Sequence, residues 1–443
     1  MKANKIDQLV WAAVFSETDE DKAAARAKLA RAGREAGIVP ASINDFYLAR
    51  GREELPLDFT VPAINIRGMA YNTARAAFQA AVEDEVGAVI FEIARSEMGY
   101  TAQPPHEYVA VITAAALREG WSGPLFIQGD HFQAKTNDKG QPKINEIESI
   151  KTLIKNSLSA GFYNIDIDMS TLVDLKQADI NDQQKPNAHY SAQLTKWIRE
   201  LEPKGVTVSV GGEIGHIGGK NSTVEDFRAY IDQYQAQLPA GMTGMSKVSV
   251  QTGTHHGGVV LADGSLADVD VDFSILSKIS RVARDKYKIG GTVQHGASTL
   301  PDEYFAQFVQ SEAIEVHLAT GFQNIIMDHD VFPKDLLKKM HAWLDKNKAD
   351  ERKPDQTDEQ FYYKLRKKAW GEFKRQTWEI DDEIQARLRE TLRERFSFMY
   401  RELNVVKTQN LVQSVVKPTV VKKDEKEFVA QAEAPNDVEG LAD

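Results

Sequence analysis

Residues 124–131 read Pro-Leu-Phe-Ile-Gln-Gly-Asp-His and join a short apolar run to two chemically active side chains. The run Pro124–Gly129 is typical of a buried strand, and polar chemistry begins directly after it, at Asp130 and His131. An isolated Asp-His pair would favour an exposed turn without a function. The interpretation therefore depends on whether other strands of the chain end in the same way.

Three further strand-like runs end in residues that bind metals. Glu213 follows Val-Thr-Val-Ser-Val-Gly-Gly, and a carboxylate directly after a buried strand must be paired or coordinated, because an unpaired buried charge is too costly. His295 follows Gly-Gly-Thr-Val-Gln. The tandem His255-His256 follows another run, and only one of the two can be a ligand, since adjacent side chains of an extended segment point in opposite directions. Four candidate positions at the ends of four strands predict a metal site.

Apolar runs alternate with helix-like stretches between residues 59 and 345. Helical stretches such as Met69–Glu85 and Ile144–Ala160 separate most of the runs. Strands that are nearly all apolar and alternate with helices indicate a parallel sheet. Eight of them predict an α/β fold, a (β/α)8 TIM barrel whose active site lies at the C-terminal ends of the strands. The predicted strands are Val61–Asn65, Val86–Glu92, Pro124–Gly129, Tyr163–Asp168, Val206–Gly212, Lys247–Thr252, Gly290–Gln294 and Asn324–Asp328.

Extensions flank the predicted barrel on both sides. Residues 1–58 are predicted to be a helical N-terminal extension, in which Lys22–Glu35 is rich in strong helix formers. Residues 346–417 are predicted to be a helical C-terminal extension, because Asp358–Leu403 is amphipathic with apolar residues at helical spacing. That segment is expected to pack on the barrel or on another subunit, as in a homo-oligomer. Residues 418–443 have little to bury and are predicted to be disordered.

Composition excludes several classes of partner. A formal net charge of −11 argues against nucleic acid, because phosphate binding needs a basic surface. The chain has no cysteine, so any metal must be held by His, Asp or Glu. Charges interrupt the N-terminal segment, and no run approaches the 18 apolar residues of a membrane span. We therefore expect a cytoplasmic protein without a membrane partner.

The donor set indicates the metal and its chemistry. Three imidazoles and one carboxylate suit Zn²⁺, and another divalent metal would also fit. Such a metal polarises a carbonyl group or generates hydroxide from water. Asp130, beside a ligand, is placed for proton transfer. The structural alternative is that Asp130 orients His131 through a hydrogen bond.

In this order, the motifs resemble those of the class II, zinc-dependent fructose-bisphosphate aldolases over about residues 59–330. A looser resemblance, in Glu92–Thr101, is to the non-catalytic subunit of tagatose-bisphosphate aldolase. The aldolase motifs are matched by Val61-Pro-Ala-Ile-Asn65, Asp130-His131, Gly161-Phe-Tyr-Asn-Ile-Asp-Ile-Asp168-Met-Ser170, Glu213-Ile-Gly-His-Ile-Gly-Gly219, Gly253-Thr-His-His256-Gly257 and His295-Gly-Ala-Ser298.

This resemblance implies a role for each matched residue. The zinc-site positions are His131, Glu213, His256 and His295, and Asp130 takes the position of the acid/base at the hydroxyl of the cleaved bond. Gly257 and Ser298 match phosphate-holding positions, Asn65 matches a substrate contact, and Asp168 is a further candidate for orienting a ligand or binding a second metal ion. The implied substrate is a ketose (bis)phosphate of carbohydrate metabolism and glycolysis, with fructose 1,6-bisphosphate as the default.

Two segments depart from the family's pattern near the substrate. The closing motif Lys-x-Asn-x-Asp-Thr-Asp is assigned to residues 324–330, Asn-Ile-Ile-Met-Asp-His-Asp, which retain Asp328 as a substrate-binding position. A Ser/Gly-rich turn after the second strand is replaced by one that contains Arg95. Arg95 is expected either to bind a phosphate, sulfonate or carboxylate or to form a salt bridge with Glu92 or Glu97.

A third departure lies after Gly219, where the family carries acidic residues on a mobile loop that supplies a base. Here the segment is shorter, and Ser222-x-x-Glu225 reads as a capping box. Glu225 is therefore assigned either to the start of a helix or, less readily, to catalysis.

Three functions compete for this pattern of motifs. The first is a metal-dependent class II aldolase that cleaves or forms a C–C bond in a ketose phosphate. The alternative is a non-catalytic aldolase-like subunit that supports a partner enzyme or an assembly, which the altered loop and the long C-terminal helices favour. A metallo-hydrolase on the same barrel is the third. Retention of Asp130 and of every zinc-site position favours the first.

Overall fold

A computed structural model describes residues 1–137, 140–215, 220–254, 258, 260–261, 266–267, 269–429 and 441. Its strands in these ranges are β1 (Ile38–Ala41), β2 (Val61–Asn65), β3 (Ile90–Ala94), β4 (Gly123–Gln133), β5 (Asn164–Asp168), β6 (Ser209–Glu213), β7 (Lys247–Val250), β8 (Thr292–Gln294) and β9 (Glu315–Leu318). Its α-helices are α1 (Ala3–Phe15), α2 (Asp19–Glu35), α3 (Asn44–Gly51), α4 (Ala70–Glu83), α5 (Arg95–Tyr100), α6 (Pro105–Glu119), α7 (Glu146–Ala160), α8 (Ile180–Leu201), α9 (Val224–Ala236), α10 (Phe273–Tyr287), α11 (Phe305–Gln310), α12 (Thr320–Met327), α13 (Lys334–Asn347), α14 (Asp358–Leu365), α15 (Lys374–Trp378), α16 (Asp382–Glu402) and α17 (Gln409–Val415).

Strands β2 to β9 close into a parallel barrel. Each of them pairs with its neighbours in the chain, and β9 pairs with β2 to complete the ring. Helices lie between successive strands, so the chain has the predicted (β/α)8 TIM barrel fold. The C-terminal ends of all eight strands therefore meet at one mouth.

The last barrel strand is not the predicted one. Residues Asn324–Asp328 were expected to form a strand, but Thr320–Met327 is the helix α12 and the eighth barrel strand is Glu315–Leu318. Two polar side chains, Glu315 and His317, point into the barrel and break up the apolar run that marks a buried strand. The apolar segment that follows it is one face of a helix.

The barrel interior carries charge where other barrels carry branched apolar residues. Lys247 Nζ donates hydrogen bonds to Asp166 Oδ2 at 2.9 Å, to Glu315 Oε1 at 2.5 Å and to Gln128 Oε1 at 2.7 Å. Burial alone would lower the pKa of Lys247, but Asp166 and Glu315 raise it. The ammonium group therefore stays charged and compensates the acids beneath the mouth.

The extensions pack on the barrel of the same chain. The N-terminal one contains the helices α1 to α3 and also the short strand β1, which was not predicted and pairs in parallel with the start of β4. In the C-terminal one, α16 lies on α4 and α12, with a hydrogen bond from the Tyr400 hydroxyl to the Ala77 carbonyl of 3.1 Å and with the Phe322 and Phe396 rings 4.6 Å apart. Whether this segment also joins subunits stays a prediction.

The beginning of the C-terminal tail contacts the rest of the chain, and the disorder predicted for residues 418–443 stays a prediction. Thr419 Oγ1 donates a hydrogen bond to the Gly205 carbonyl at 2.7 Å, and the Phe428 side chain is buried next to α2. The Phe428 ring is an apolar group that this otherwise polar segment can bury. Most of the tail beyond Val429 lies outside the described residues. Within the described ranges, no helix is long and apolar enough to cross a membrane.

Candidate metal centre

A β-bulge in β4 turns two neighbouring side chains toward the same site. The register with β5 shifts by one residue between Gly129 and Phe132, and His131 has a positive φ of 40°. In a regular strand, Asp130 and His131 would lie on opposite faces. The extra residue re-aims them, so that both are buried at the barrel mouth. Gly129 permits the bulge, because a Cβ there would lie 2.4 Å from the Phe132 ring.

The structure brings His131, Glu213 and His295 together. One donor atom of each lies within 4.8 Å of the others, and the two imidazole ring centroids are 4.3 Å apart. The three residues stand at the C-terminal ends of β4, β6 and β8, as the sequence predicted. The fourth predicted ligand, His256, and the predicted phosphate contact Gly257 lie outside the described residues.

Asp168 holds the His131 ring in place. Its Oδ2 is 3.0 Å from His131 Nδ1 and accepts a hydrogen bond from Gln133 Nε2, while Oδ1 accepts from the Ser170 N–H and hydroxyl. Burial would raise the pKa of Asp168, but the hydrogen bonds from His131 and Ser170 lower it to about 2. Asp168 is thus a charged partner that orients the His131 ring through Nδ1 and leaves Nε2 of that ring directed away from Asp168.

Burial and charged neighbours strongly shift the pKa values of the site residues. Burial and the nearby Asp168 raise the pKa of Glu213 to about 8. Burial lowers the pKa of His131, yet Asp130 and Glu213 raise it well above its usual value. Buried groups whose pKa values are shifted this far by specific charged neighbours are characteristic of functional sites.

His317 is a member of the cluster that the sequence reasoning missed. Its Nδ1 lies 3.2 Å from Asp130 Oδ1 and 3.1 Å from Glu92 Oε2, and its Nε2 lies 2.6 Å from Glu315 Oε1. Its ring centroid is 4.1 Å from that of His295. Burial lowers the pKa of His317, but Glu92 and Asp130 raise it well above the ordinary value. The alternation of polar and apolar residues in Glu-Val-His-Leu was the sequence signal from which this strand, and with it His317, could have been found.

The donor atoms fit a bound cation. The described residues at and below the mouth include six buried carboxylates, which are Glu92, Asp130, Asp166, Asp168, Glu213 and Glu315. Lys247 is the permanent positive charge among them, so the remaining acids need protons, protonated imidazoles or a metal ion. Two imidazoles and a carboxylate with converging donor atoms match the ligand preferences of Zn²⁺.

A small cavity opens above the cluster. Its walls include the predicted substrate contacts Asn65 and Ser298 together with Asp130 and His295. The Oδ1 atom of Asn65 is buried, and no group in the described part of the chain forms a hydrogen bond with it. Arg67, which was not predicted, also lines the cavity. Its Nε pairs with Glu97 Oε1 at 2.7 Å, and its Nη1 lies 3.1 Å from Thr320 Oγ1 at the start of α12.

Two predicted substrate contacts have protein partners instead. Arg95 is buried and pairs with Glu146 Oε1 at 2.5 Å, not with Glu92 or Glu97. Asp328 is mostly exposed at the end of α12, where it accepts a bidentate pair of hydrogen bonds from Arg366. Neither lines the cavity at the mouth.

The helix after the altered loop is capped one residue later than predicted. The capping box of α9 is formed by Thr223 and Asp226 rather than by Ser222 and Glu225. Ser222 Oγ instead accepts a hydrogen bond from the Gln251 N–H at 2.9 Å. Glu225 is exposed in the first turn of the helix, and residues 216–219 before it lie outside the described ranges.

Comparison with known proteins agrees with this geometry. A family model described as "Fructose-bisphosphate aldolase class-II" matches residues 57–376, which is well over half of the chain. The chain belongs to the class II fructose-bisphosphate aldolase family. A search of curated proteins gives no match.

Two solved structures are similar to this class II family member at low sequence identity. A probable tagatose 6-phosphate kinase from Sinorhizobium meliloti 1021 is 15% identical, with a TM-score of 0.54 over 80% of this chain and 99% of that chain. A fructose-bisphosphate aldolase from Campylobacter jejuni is 17% identical, with a TM-score of 0.49 over 84% of this chain and 96% of that chain. The first of these supports the barrel fold.

The position of the last strand also moves the family's closing motif. We place Lys-x-Asn-x-Asp-Thr-Asp on residues 315–321, Glu-Val-His-Leu-Ala-Thr-Gly, because these residues form β9 and the start of α12. The placement of the motif on residues 324–330 depended on the predicted strand Asn324–Asp328, which does not form.

Proposed function

We propose that this chain is a metal-dependent class II aldolase that cleaves or forms a C–C bond in a ketose phosphate. The supporting observation is the convergence of His131, Glu213 and His295 at the barrel mouth, with Asp130 Oδ1 3.9 Å from His131 Nε2. Fructose 1,6-bisphosphate is the default substrate, which would place the reaction in carbohydrate metabolism and glycolysis in the cytoplasm.

His131, Glu213 and His295 would hold the metal, with His256 as the fourth proposed ligand. When bound, Zn²⁺ polarises a carbonyl group and stabilises negative charge that develops on its oxygen. Asp168 would keep the His131 ring in the orientation required, since it binds Nδ1 at 3.0 Å. The same donors would accept another divalent cation.

Asp130 is the proposed acid/base. In the cleavage direction, its carboxylate would take the proton from the hydroxyl group of the departing aldehyde half. Asp130 lines the cavity, and His317 Nδ1 holds its Oδ1 at 3.2 Å, so the carboxylate is oriented before substrate binds. In the synthetic direction, the same group would return the proton.

The cavity is suited to a substrate with an anionic end group. Arg67 contributes a guanidinium group, and Ser298 Oγ accepts a hydrogen bond from the Gly321 N–H in the first turn of α12. A helix N-terminus and a guanidinium group both attract phosphate. Asn65, whose buried Oδ1 atom has no hydrogen-bond partner within the described ranges, is the proposed contact to a substrate hydroxyl. Gly257 remains a proposed backbone contact.

Aldol cleavage by the purified, zinc-loaded full chain tests the proposal. We expect turnover of fructose 1,6-bisphosphate or another ketose phosphate, and a loss of at least about 100-fold in kcat for Asp130→Asn with zinc content unchanged. Asp328→Asn is the control, because Asp328 is exposed and paired with Arg366. One zinc per chain without turnover of any ketose phosphate would favour the non-catalytic subunit instead.

A further inference from the structure

A second and larger cavity lies outside the barrel. It has a volume of about 500 Å³ and is formed by α1, the beginning of α4, the end of α6 and the C-terminal helices α15 and α16. Both extensions of the chain therefore contribute to its walls. Of the described metal-site residues, His131, Glu213 and His295, none lines it.

Three guanidinium groups face this cavity from three helices. They belong to Arg75 of α4, Arg118 of α6 and Arg389 of α16. Arg389 Nη1 contacts Asn72 Oδ1 at 2.5 Å, and among the described residues no carboxylate forms an ion pair with Arg389. Burial and the positive charge of Arg75 lower the pKa of Arg389, Glu119 partly offsets this, and Arg118 lowers the pKa again. Three positively charged side chains therefore surround this cavity.

Two of the three arginines have an acidic partner nearby, and Arg389 does not among the described residues. Asp7 Oδ1 accepts a hydrogen bond from the Tyr71 hydroxyl at 2.6 Å and lies 3.4 Å from Arg118 Nε. Glu119 pairs with Arg75. Asp382 is exposed at the start of α16 and also lines the cavity. Arg389 therefore remains available to an anion, and the N-terminal turn of α4 adds the positive end of a helix dipole.

An aromatic wall stands beside the guanidinium groups. Trp11, Tyr71 and Trp378 line the cavity and are each only partly buried. The ring centroid of Trp378 lies 6.1 Å from that of Tyr71 and 6.5 Å from that of Trp11. Such a wall offers a surface for a planar organic group, and guanidinium groups bind phosphate through paired N–H donors.

We propose that this cavity binds a nucleoside phosphate, with its phosphate on Arg389, Arg118 and Arg75 and its base against the aromatic wall. The volume exceeds what inorganic phosphate alone requires, and pockets of several hundred Å³ hold ligands of this size. The site lies apart from the metal centre and does not depend on the aldolase proposal.

Binding of adenosine 5′-monophosphate to the full chain tests this site, with adenosine as the matched probe without phosphate. Trp11 and Trp378 give a fluorescence signal. We expect the nucleotide to bind at least about tenfold more tightly than adenosine, and Arg389→Gln and Arg118→Gln each to weaken nucleotide binding by about tenfold or more. Arg387→Gln is the control, since Arg387 lies on the same helix 3.7 Å from Asp330 and outside the cavity.

Equal affinities for the nucleotide and adenosine would overturn the proposal. So would full nucleotide affinity in both arginine variants. Circular dichroism of each variant shows whether it folds, and the two arginines stand on different helices, so that one informative variant is enough. Basal aldol cleavage by Arg389→Gln should equal that of the unaltered chain, because Arg389 does not line the barrel mouth.

Discussion

Replacement of Lys247 by Met tests the charged barrel interior. Lys247 is almost completely buried, and its ammonium group donates to Asp166, Glu315 and Gln128 at 2.9, 2.5 and 2.7 Å. The variant keeps the length of the side chain but leaves two buried carboxylates without their cation. Removal of one partner of a buried pair typically costs about 3–5 kcal/mol of unfolding free energy.

Equilibrium urea unfolding followed by tryptophan fluorescence at pH 7.5 measures this loss. Lys286→Met is the matched control, since Lys286 is exposed beside Asp232, and we expect no resolvable change in its unfolding midpoint. Adding Glu315→Gln to Lys247→Met should restore part of the stability, because one orphaned charge is removed. A loss below about 1 kcal/mol for Lys247→Met would refute the reasoning.

The same variant has a predictable dependence on pH. Burial would raise the pKa of Glu315, but Lys247 and His317 lower it from 4.5 to about 2. A carboxyl group whose pKa is lower in the folded than in the unfolded state stabilises the fold at pH values above its unfolded-state pKa. That contribution disappears as the pH falls through its folded-state pKa. The stability difference between the unaltered chain and Lys247→Met should therefore narrow as the pH falls from 4.5 towards 2.

Two further predictions concern single histidines. Burial, Lys423 and Arg26 lower the pKa of His106 to about 4. Because the unfolded chain binds the proton more readily, the folded chain should lose up to about 3 kcal/mol of stability between pH 6.5 and pH 4. Urea unfolding of His106→Gln at the same pH values should not show this loss. Asp168→Asn should weaken zinc affinity by about 10- to 100-fold, because the His131 ring loses its charged partner, and a competition titration with a chromophoric chelator measures the change.

The barrel was predictable where its strands are purely apolar. The bounds of β2 were predicted correctly as Val61–Asn65, because a strand buried on both faces reads as a continuous apolar run. The strand β9 was missed because Glu315 and His317 point into a charged interior that sequence reasoning did not anticipate. The helix α12 was mistaken for a strand because it ends in the apolar run Ile325-Ile326-Met327, although its buried residues, Phe322, Ile326 and Met327 among them, follow helical spacing.

The candidate site was predictable to the extent that its residues follow strands. Asp130, His131, Glu213 and His295 were identified from that position alone, and the structure gathers them at one mouth. Ion pairs between distant segments were not predictable. The partner of Arg95 is 51 residues away, and which acid it meets depends on how α5 and α7 pack.

The location of zinc in crystals of the full chain tests the central claim most directly. We expect an anomalous difference map at the zinc absorption edge to show a peak within about 2.0–2.2 Å of donor atoms of His131, Glu213 and His295. A peak held by other residues, or no peak at the barrel mouth in zinc-saturated crystals, would contradict the metal centre and with it the proposed chemistry.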